Sequence, residues 1–378
     1  MFVVRIPLFP LLPYSLTPLF PLSLDISATN GKIITMESEK KVFSINNLNI
    51  KFTLRGRVLH AIRDVSLDIY KGESLAVVGE SGSGKSVLMK TLIGLLDNNG
   101  WLDSGTVIYE DGRDIAQFKT DKDWQGFRGK EVAMVMQDPM TSLNPLKTVS
   151  WQICEALEYN QNMRGAEARE RAVELLRDVG IQDPERRSRQ YPHEFSGGMR
   201  QRVVIAIAMA CKPNLLICDE PTTALDVTIQ AQILTLLKSL REKYNLTMVY
   251  ITHDFGVVAN VADRIAVMYS GDIIEVGTSE EIFFQPKHPY TWALLSSLPQ
   301  LGEKKQDLYS IKGTPPNLFQ TIRGDAFAAR NPLPLAIDFL YRPPYFQVSP
   351  THKAKTWLLD PRAPELEPPE QVAHIQNI

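Results

Sequence analysis

Ser74-Leu75-Ala76-Val77-Val78-Gly79-Glu80-Ser81-Gly82-Ser83-Gly84-Lys85-Ser86 decides how this chain folds. Its first five residues form an apolar run without alternation, as a strand buried on both faces requires. Gly79 to Ser86 satisfies the pattern G-x-x-x-x-G-K-[ST], and Val87 to Leu95 then reads as an apolar helix. Strand, glycine loop and helix, in that order, is the context in which this motif holds phosphate. The glycines let backbone N–H groups turn inward where side chains would block them. On this reading Gly79, Glu80, Ser81, Gly82, Ser83 and Gly84 cradle a nucleoside triphosphate. Lys85 reaches its β- and γ-phosphates, and Ser86 holds Mg²⁺.

Outward from the loop, strand and helix patterns alternate. Val42 to Phe52 and Val65 to Ile69 read as strands before it, and Glu131 to Met136 as a strand after it. Trp151 to Val179 is helical in pattern, Gly197 to Ala210 is a second helix, and Ile229 to Leu240 a third. Leu215 to Cys218 and Thr247 to Ile251 are strands, and Ile265 to Val276 is a hairpin about Ser270-Gly271. The alternation implies an α/β core with a parallel sheet, with a mainly helical insertion between Gln137 and Ser196.

Asp219 and Glu220 end an apolar strand downstream of the phosphate loop. That position suits Asp219 to Mg²⁺, directly or through water, and Glu220 to a general base that polarises the attacking water. Ser196-Gly197-Gly198-Met199-Arg200-Gln201 is a second glycine turn opening a helix. Its free N–H groups and positive dipole make an anion site. The chain's own loop already fills its nucleotide site, so this turn needs a phosphate from a head-to-tail partner.

Taken together and in this order, these motifs resemble the ATP-binding subunits of ABC transporters. Phe195-Ser196-Gly197-Gly198-Met199 is similar to their Leu-Ser-Gly-Gly-Gln signature, with Phe195 for Leu and Met199 for Gln. The resemblance spans about Val42 to Pro299 and implies further roles. Gln137 takes the Q-loop position, touching Mg²⁺ or water and coupling to a membrane subunit. Ala224-Leu225-Asp226 takes the place of the D-loop, with Asp226 crossing the dimer interface, and His253 that of the switch histidine on the γ-phosphate. Adenine recognition stays open between Phe52, His60 and neither.

Within that family, Asp138-Pro139-Met140-Thr141-Ser142-Leu143-Asn144-Pro145, His288-Pro289-Tyr290-Thr291 and Gly313-Thr314-Pro315-Pro316-Asn317-Leu318 resemble the peptide and nickel importer branch. Lys355-Thr356-Trp357-Leu358-Leu359-Asp360-Pro361 resembles oligopeptide permease subunits of Gram-positive bacteria. Some relatives carry four tail cysteines that hold an iron–sulfur cluster. This tail has no cysteine, so no such cluster is expected. The fold implied is a P-loop ABC ATPase domain over 36–300: a parallel sheet core, an antiparallel β subdomain and a helical subdomain at about 138–205. A C-terminal extension covers 301–378. The resemblance implies an ATP-hydrolysing subunit of an oligopeptide importer, with a dipeptide or nickel importer, or a soluble ABC ATPase, as alternatives. Its partners would be two membrane-spanning permease subunits, a second ABC ATPase that is a paralogue or a copy of this chain, and an extracellular peptide-binding protein. Its place would be the cytoplasmic face of the membrane.

Bulk properties agree. The chain has 378 residues, 44% hydrophobic and 22% charged, with formal net charge -2. That balance gives no reason to expect nucleic acid as a partner. Cys154, Cys211 and Cys218 lack metal-site spacing and fit a reducing compartment. Ile6 to Leu24 is apolar but carries five prolines, which rule out a spanning helix. Residues 1–35 therefore read as a leader that is disordered or untranslated, with Met36 as the natural start.

Overall fold

The structure is a computed structural model that describes residues 40–223, 225–297, 311–366, 368, 369 and 372. The expected leader 1–35, the start at Met36 and Ala224 lie outside them. Strands β1 (Lys41–Leu54) and β2 (Arg57–Tyr70) form an antiparallel hairpin, and β3 (Ser74–Val78) runs into the glycine loop. Helix α1 (Lys85–Thr91) follows, then β4 (Gly100–Tyr109), which pairs with β1 to complete an antiparallel sheet in the order β2-β1-β4. Strand β4 was not expected: Gly100, Asp103, Ser104 and Gly105 interrupt its apolar pattern, and cross-strand pairing supplies what local propensity lacks.

Under this sheet Phe43, Tyr109, Phe118, Trp124 and Phe127 meet in tilted and edge-to-face pairs, with Trp124 on the short helix α2 (Asp121–Trp124). Phe127 is fully buried, with ring centroids of Tyr109, Phe118 and Trp124 at 5.1, 5.8 and 5.8 Å. Strand β5 (Val132–Val135) ends the segment and enters the main sheet.

The insertion after Gln137 is helical as its pattern implies: α3 (Pro139–Ser142), α4 (Val149–Gln161), α5 (Gly165–Asp178) and α6 (Pro184–Arg187). The expected single helical stretch breaks in two. Asn162 adopts a left-handed φ of 55° that ends α4, and Gly165 adopts 64°. Helix α5 buries Ala168, Ala172, Leu175 and Leu176, the i, i+4, i+7, i+8 stripe of an amphipathic helix. That stripe joins one core with residues from helix α7 (Gly197–Ala210), strand β6 (Leu215–Asp219) and helix α8 (Val227–Tyr244).

Strand β7 (Thr247–Thr252), helix α9 (Phe255–Val261) and the hairpin β8 (Arg264–Tyr269) and β9 (Asp272–Thr278) follow. The hairpin turns at Ser270 and Gly271, both with positive φ. Helices α10 (Ser279–Phe284) and α11 (Pro289–Ser296) come next. The extension contributes β10 (Phe346–Gln347) and β11 (Lys353–Ala354), and β11 pairs with β9. The main sheet has the order β10-β11-β9-β8-β3-β7-β6-β5, parallel from β8 through β5.

The extension does not stand apart from this sheet. Phe327 and Val372 share a core with Ala76, Val78, Tyr269 and Tyr290. Arg342 bridges Asp272 and Asp64 at 2.6 and 3.1 Å, Lys355 meets Asp272 at 2.7 Å, and His352 meets Glu275 at 2.8 Å. Lys355 and Asp272 are buried, where charges persist only when paired. Among the described residues no helix is long and apolar enough to cross a membrane.

Phe127→Ala empties the centre of the aromatic cluster. We expect a loss of about 3–5 kcal/mol, read from the urea unfolding midpoint. A loss below about 1 kcal/mol would show that the cluster does not hold the antiparallel sheet.

Candidate functional site

The glycine loop sits where its backbone demands. Gly79 has φ 153°, and a Cβ there would lie 2.0 Å from the Met268 carbonyl oxygen on β8. Gly84 has φ 104°, with Ile62 and Met268 side chains and the Ala61 carbonyl at 2.9–3.1 Å from a built Cβ. Only glycine fits between β2 and β8 at these points. Lys85 is buried and donates to the Gly79 and Glu80 carbonyl oxygens at 2.7 and 2.9 Å, so it folds back over its own loop. Burial lowers its pKa, against the opposing charges of Glu220, Asp219 and Glu80.

Ser86 Oγ donates to Asp219 Oδ1 at 3.0 Å, joining the loop to the end of β6. Asp219 is raised above the usual carboxylate range, first by burial; the Ser86 hydrogen bond opposes this and the charge of Glu220 adds to it. Glu220 has a left-handed φ of 45°, and its N–H donates to the Ile251 carbonyl oxygen at 2.9 Å. Three groups converge on its carboxylate. Gln137 Nε2 donates at 2.7 Å, Thr223 Oγ1 at 2.9 Å, and His253 Nδ1 lies at 3.1 Å, where a carboxylate oxygen requires an N–H. Burial would raise the Glu220 pKa, but the hydrogen bonds from His253 and Thr223 and the charge of Lys85 outweigh it, and the carboxyl is held below its ordinary value.

These residues line one open pocket of about 860 Å³. Gly79, Glu80, Ser81, Gly82, Gly84, Lys85, Ser86, Gln137, Glu220 and His253 face it, with Thr223. Ser83 packs under the loop, buried, 3.4 Å from Lys85 Nζ. Phe52, Leu59 and Ala61 from the β1–β2 hairpin form an apolar wall. His60 does not line it; its ring lies 3.0 Å from Asn49 Oδ1. Sequence reasoning missed Leu318, which reaches this pocket from the extension, and Thr223. Leu318 closes the Gly313–Leu318 motif, but nothing in that pattern ties it to the nucleotide pocket, whereas Thr223 lies three residues beyond Glu220.

Ser196, Gly197, Gly198, Met199 and Asp226 do not line this pocket. Ser196 caps α7, its Oγ accepting from Met199 N–H. Gly198 lies under Ile229, and Gly197 under Leu225, so the signature turn packs against the start of α8. Asp226 caps α8 by accepting from Ile229 N–H at 2.9 Å. Phe195 is buried in the helical core and Met199 packs against it, which accounts for apolar residues at both departures from the usual signature.

For Mg²⁺ the available groups are hard oxygens. Ser86 Oγ and Asp219 Oδ1 face each other, and no cluster of three or more His, Cys, Asp or Glu residues occurs among the described residues. That set fits an ion that takes one or two protein oxygens and completes its shell with phosphate and water.

A family profile described as ABC transporter matches residues 62–223, and one described as oligopeptide/dipeptide transporter, C-terminal region, matches 274–336. The chain is 54% identical to the oligopeptide transport ATP-binding protein AmiE of Streptococcus pneumoniae, over 90% of this chain and 96% of that protein. It is 53% identical to the dipeptide transport ATP-binding protein DppD of Lactococcus lactis, over 89% and 96%. It is also 53% identical to the oligopeptide transport ATP-binding protein OppD of Bacillus subtilis, over 88% and 93%. A dimeric, post-hydrolysis ATP-binding cassette bound to ADP and Pi aligns with a TM-score of 0.55 and 30% identity, over 63% of this chain and 98% of that one. With the loop, the carboxylate pair and the extension all in place, the chain belongs to the ABC-type ATP-binding proteins of oligopeptide and dipeptide transport.

Proposed function

We propose that this chain hydrolyses ATP to power a peptide importer, working at the cytoplasmic face of the membrane. The observation that carries the reading is the convergence of Gln137, Thr223 and His253 on Glu220 beside the phosphate loop. Glu220 is the general base that takes a proton from the attacking water as the water approaches the γ-phosphate. Its lowered pKa keeps it ionised for that task at neutral pH. Gln137 and His253 orient it, Gln137 toward Mg²⁺ or water and His253 toward the γ-phosphate, and Lys85 turns from its own loop carbonyls to the β- and γ-phosphates. Ser86 and Asp219 would hold Mg²⁺. When bound, that ion neutralises charge developing on the phosphates.

The signature turn lies outside the chain's own pocket, which supports a head-to-tail pair. In that pair Ser196, Gly197, Gly198 and Met199 cap the nucleotide of a second ATPase, a copy of this chain or a paralogue, and Asp226 crosses between them. Closure of the pair moves two membrane-spanning permease subunits docked near Gln137 and the helical insertion. An extracellular peptide-binding protein and those subunits select the cargo. Relatives named for oligopeptide and for dipeptide transport match almost equally well, at 54% and 53% identity. The stretch Lys355–Pro361 favours oligopeptides, and a dipeptide importer is the second reading.

Glu220→Gln should bind a fluorescent ATP analogue like the native chain while phosphate release falls roughly 10²-fold or more. Native-like hydrolysis would remove Glu220 from its role. In cells carrying this variant, uptake of labelled tetra- and hexapeptides should stop; loss confined to dipeptides or to nickel would reassign the cargo.

Ser86→Ala should raise the Mg²⁺ concentration for half-maximal hydrolysis by about tenfold or more, since even groups behind the ligands typically cost that much when removed. An unchanged Mg²⁺ titration would show that the hydroxyl is not a ligand.

A further inference from the structure

Glu80 places a carboxylate inside the loop read above as the triphosphate site. An anion there opposes phosphate unless something cancels it. The cancelling group comes from 250 residues away, in the extension. Arg330 grips Glu80 with both ends of its guanidinium: Nη1 to Oε2 at 2.7 Å and Nη2 to Oε1 at 2.9 Å. This is the two-pronged geometry in which arginine binds carboxylate most strongly. The arginine side chain is 6% exposed and the Glu80 side chain 25%, so the pair is held mainly by its geometry, with the carboxylate still open to the pocket.

The other donors of the same guanidinium are also used. Nη1 donates to the Tyr269 hydroxyl at 3.1 Å, Nη2 to the Ile311 carbonyl at 3.4 Å, and Nε to the Lys312 carbonyl at 3.1 Å. All five N–H groups that arginine offers are therefore engaged. Glu80 is held from a second side as well: its backbone N–H donates to the Tyr290 hydroxyl at 2.8 Å. Tyr290 and Tyr269 pack together with ring centroids 4.5 Å apart.

Ile311 and Lys312 open the segment that runs through Gly313 to Leu318. Leu318 lines the pocket, and its carbonyl accepts from the His60 N–H at 3.1 Å. One side chain thus ties the second residue of the phosphate loop to the root of a wall of the same pocket.

We propose that Arg330 is a positioning residue for the nucleotide, neutralising Glu80 in the phosphate loop and anchoring the Ile311–Leu318 segment that carries Leu318 to the pocket. The extension then completes the ATP site within one chain. This rests on Gly79–Ser86 being the triphosphate site. A plain staple for the extension would affect stability alone; this arrangement affects affinity through a charge.

The test uses the full-length chain with Mg²⁺ and a fluorescent ATP analogue, with thermal melting alongside. Arg330→Gln should weaken binding about tenfold with kcat changed less than about threefold, the scale of coupling between contacting charged groups. Arg330→Lys should rescue only part, because an ammonium cannot form the fork. The double variant Glu80→Gln with Arg330→Gln should recover part of the affinity lost in Arg330→Gln, because no charge is left unpaired while the anchor stays lost; it and Arg330→Lys carry the test if Arg330→Gln does not fold. Unchanged affinity in Arg330→Gln with a lowered melting temperature would overturn the proposal in favour of a staple. So would a double variant as weak as the single one. Lys85→Ala separates the two readings. Loss of binding there, with Arg330→Gln unaffected, removes the role of Arg330 and leaves the site standing. Native binding in Lys85→Ala removes the site itself.

Discussion

Strand β3 is paired in parallel with β7 on one side and β8 on the other, and all five of its residues are buried. A strand paired on both edges and close-packed on both faces holds one register, because a slip would break the fit of its side chains to the neighbours packed on each face. The rest of the site inherits that register. Val78 stands opposite Thr252, Asp219 opposite Ile251, and Val135 opposite Cys218. The glycine loop, Gln137, the Asp219-Glu220 pair and His253 are therefore delivered to one line along the carboxyl ends of the strands, where open α/β sheets take their ligands.

Along that line two adjacent carboxylates have been given different characters. Asp219 is buried, holds one hydroxyl donor and lies beside another negative charge, and its pKa rises. Glu220 collects donors from three elements, and its pKa falls despite burial. Environments that push neighbouring acids apart mark a division of labour. Asp219 gains from a cation that shares its charge, and Glu220 stays ionised through the donors gathered on it. The left-handed backbone at Glu220 turns successive side chains in the directions these tasks require.

Much of this was legible in the chain because its signals are local. Strand, loop and helix over Ser74 to Thr91 follow from spacing alone, as does the hairpin about Ser270-Gly271. What was not legible depends on partners distant in sequence. Strand β4 exists because β1 pairs with it. The break between α4 and α5 rests on one asparagine in a conformation that glycine more often adopts. Arg330 is one arginine among many until the fold sets it against Glu80, and the Gly313–Leu318 motif gives no sign that Leu318 lines the pocket. The departures Phe195 and Met199 from the usual signature have no explanation in the local pattern; the fold buries Phe195 in the helical core and packs Met199 against it.

The way the main sheet ends has a further consequence. Its margins are the four-residue strand β5 and the two-residue strand β10. Without the extension, the seven-residue β9 would present an unpaired ladder of N–H and C=O groups. Long open ladders recruit other chains and seed aggregates. β11 pairs with β9 at Glu275 and Val276, with β10 outside it, so the extension covers the middle of that margin. A protein proposed to meet a second cassette face to face, and to part from it at each turnover, thereby avoids a competing edge-to-edge attachment that no hydrolysis could undo.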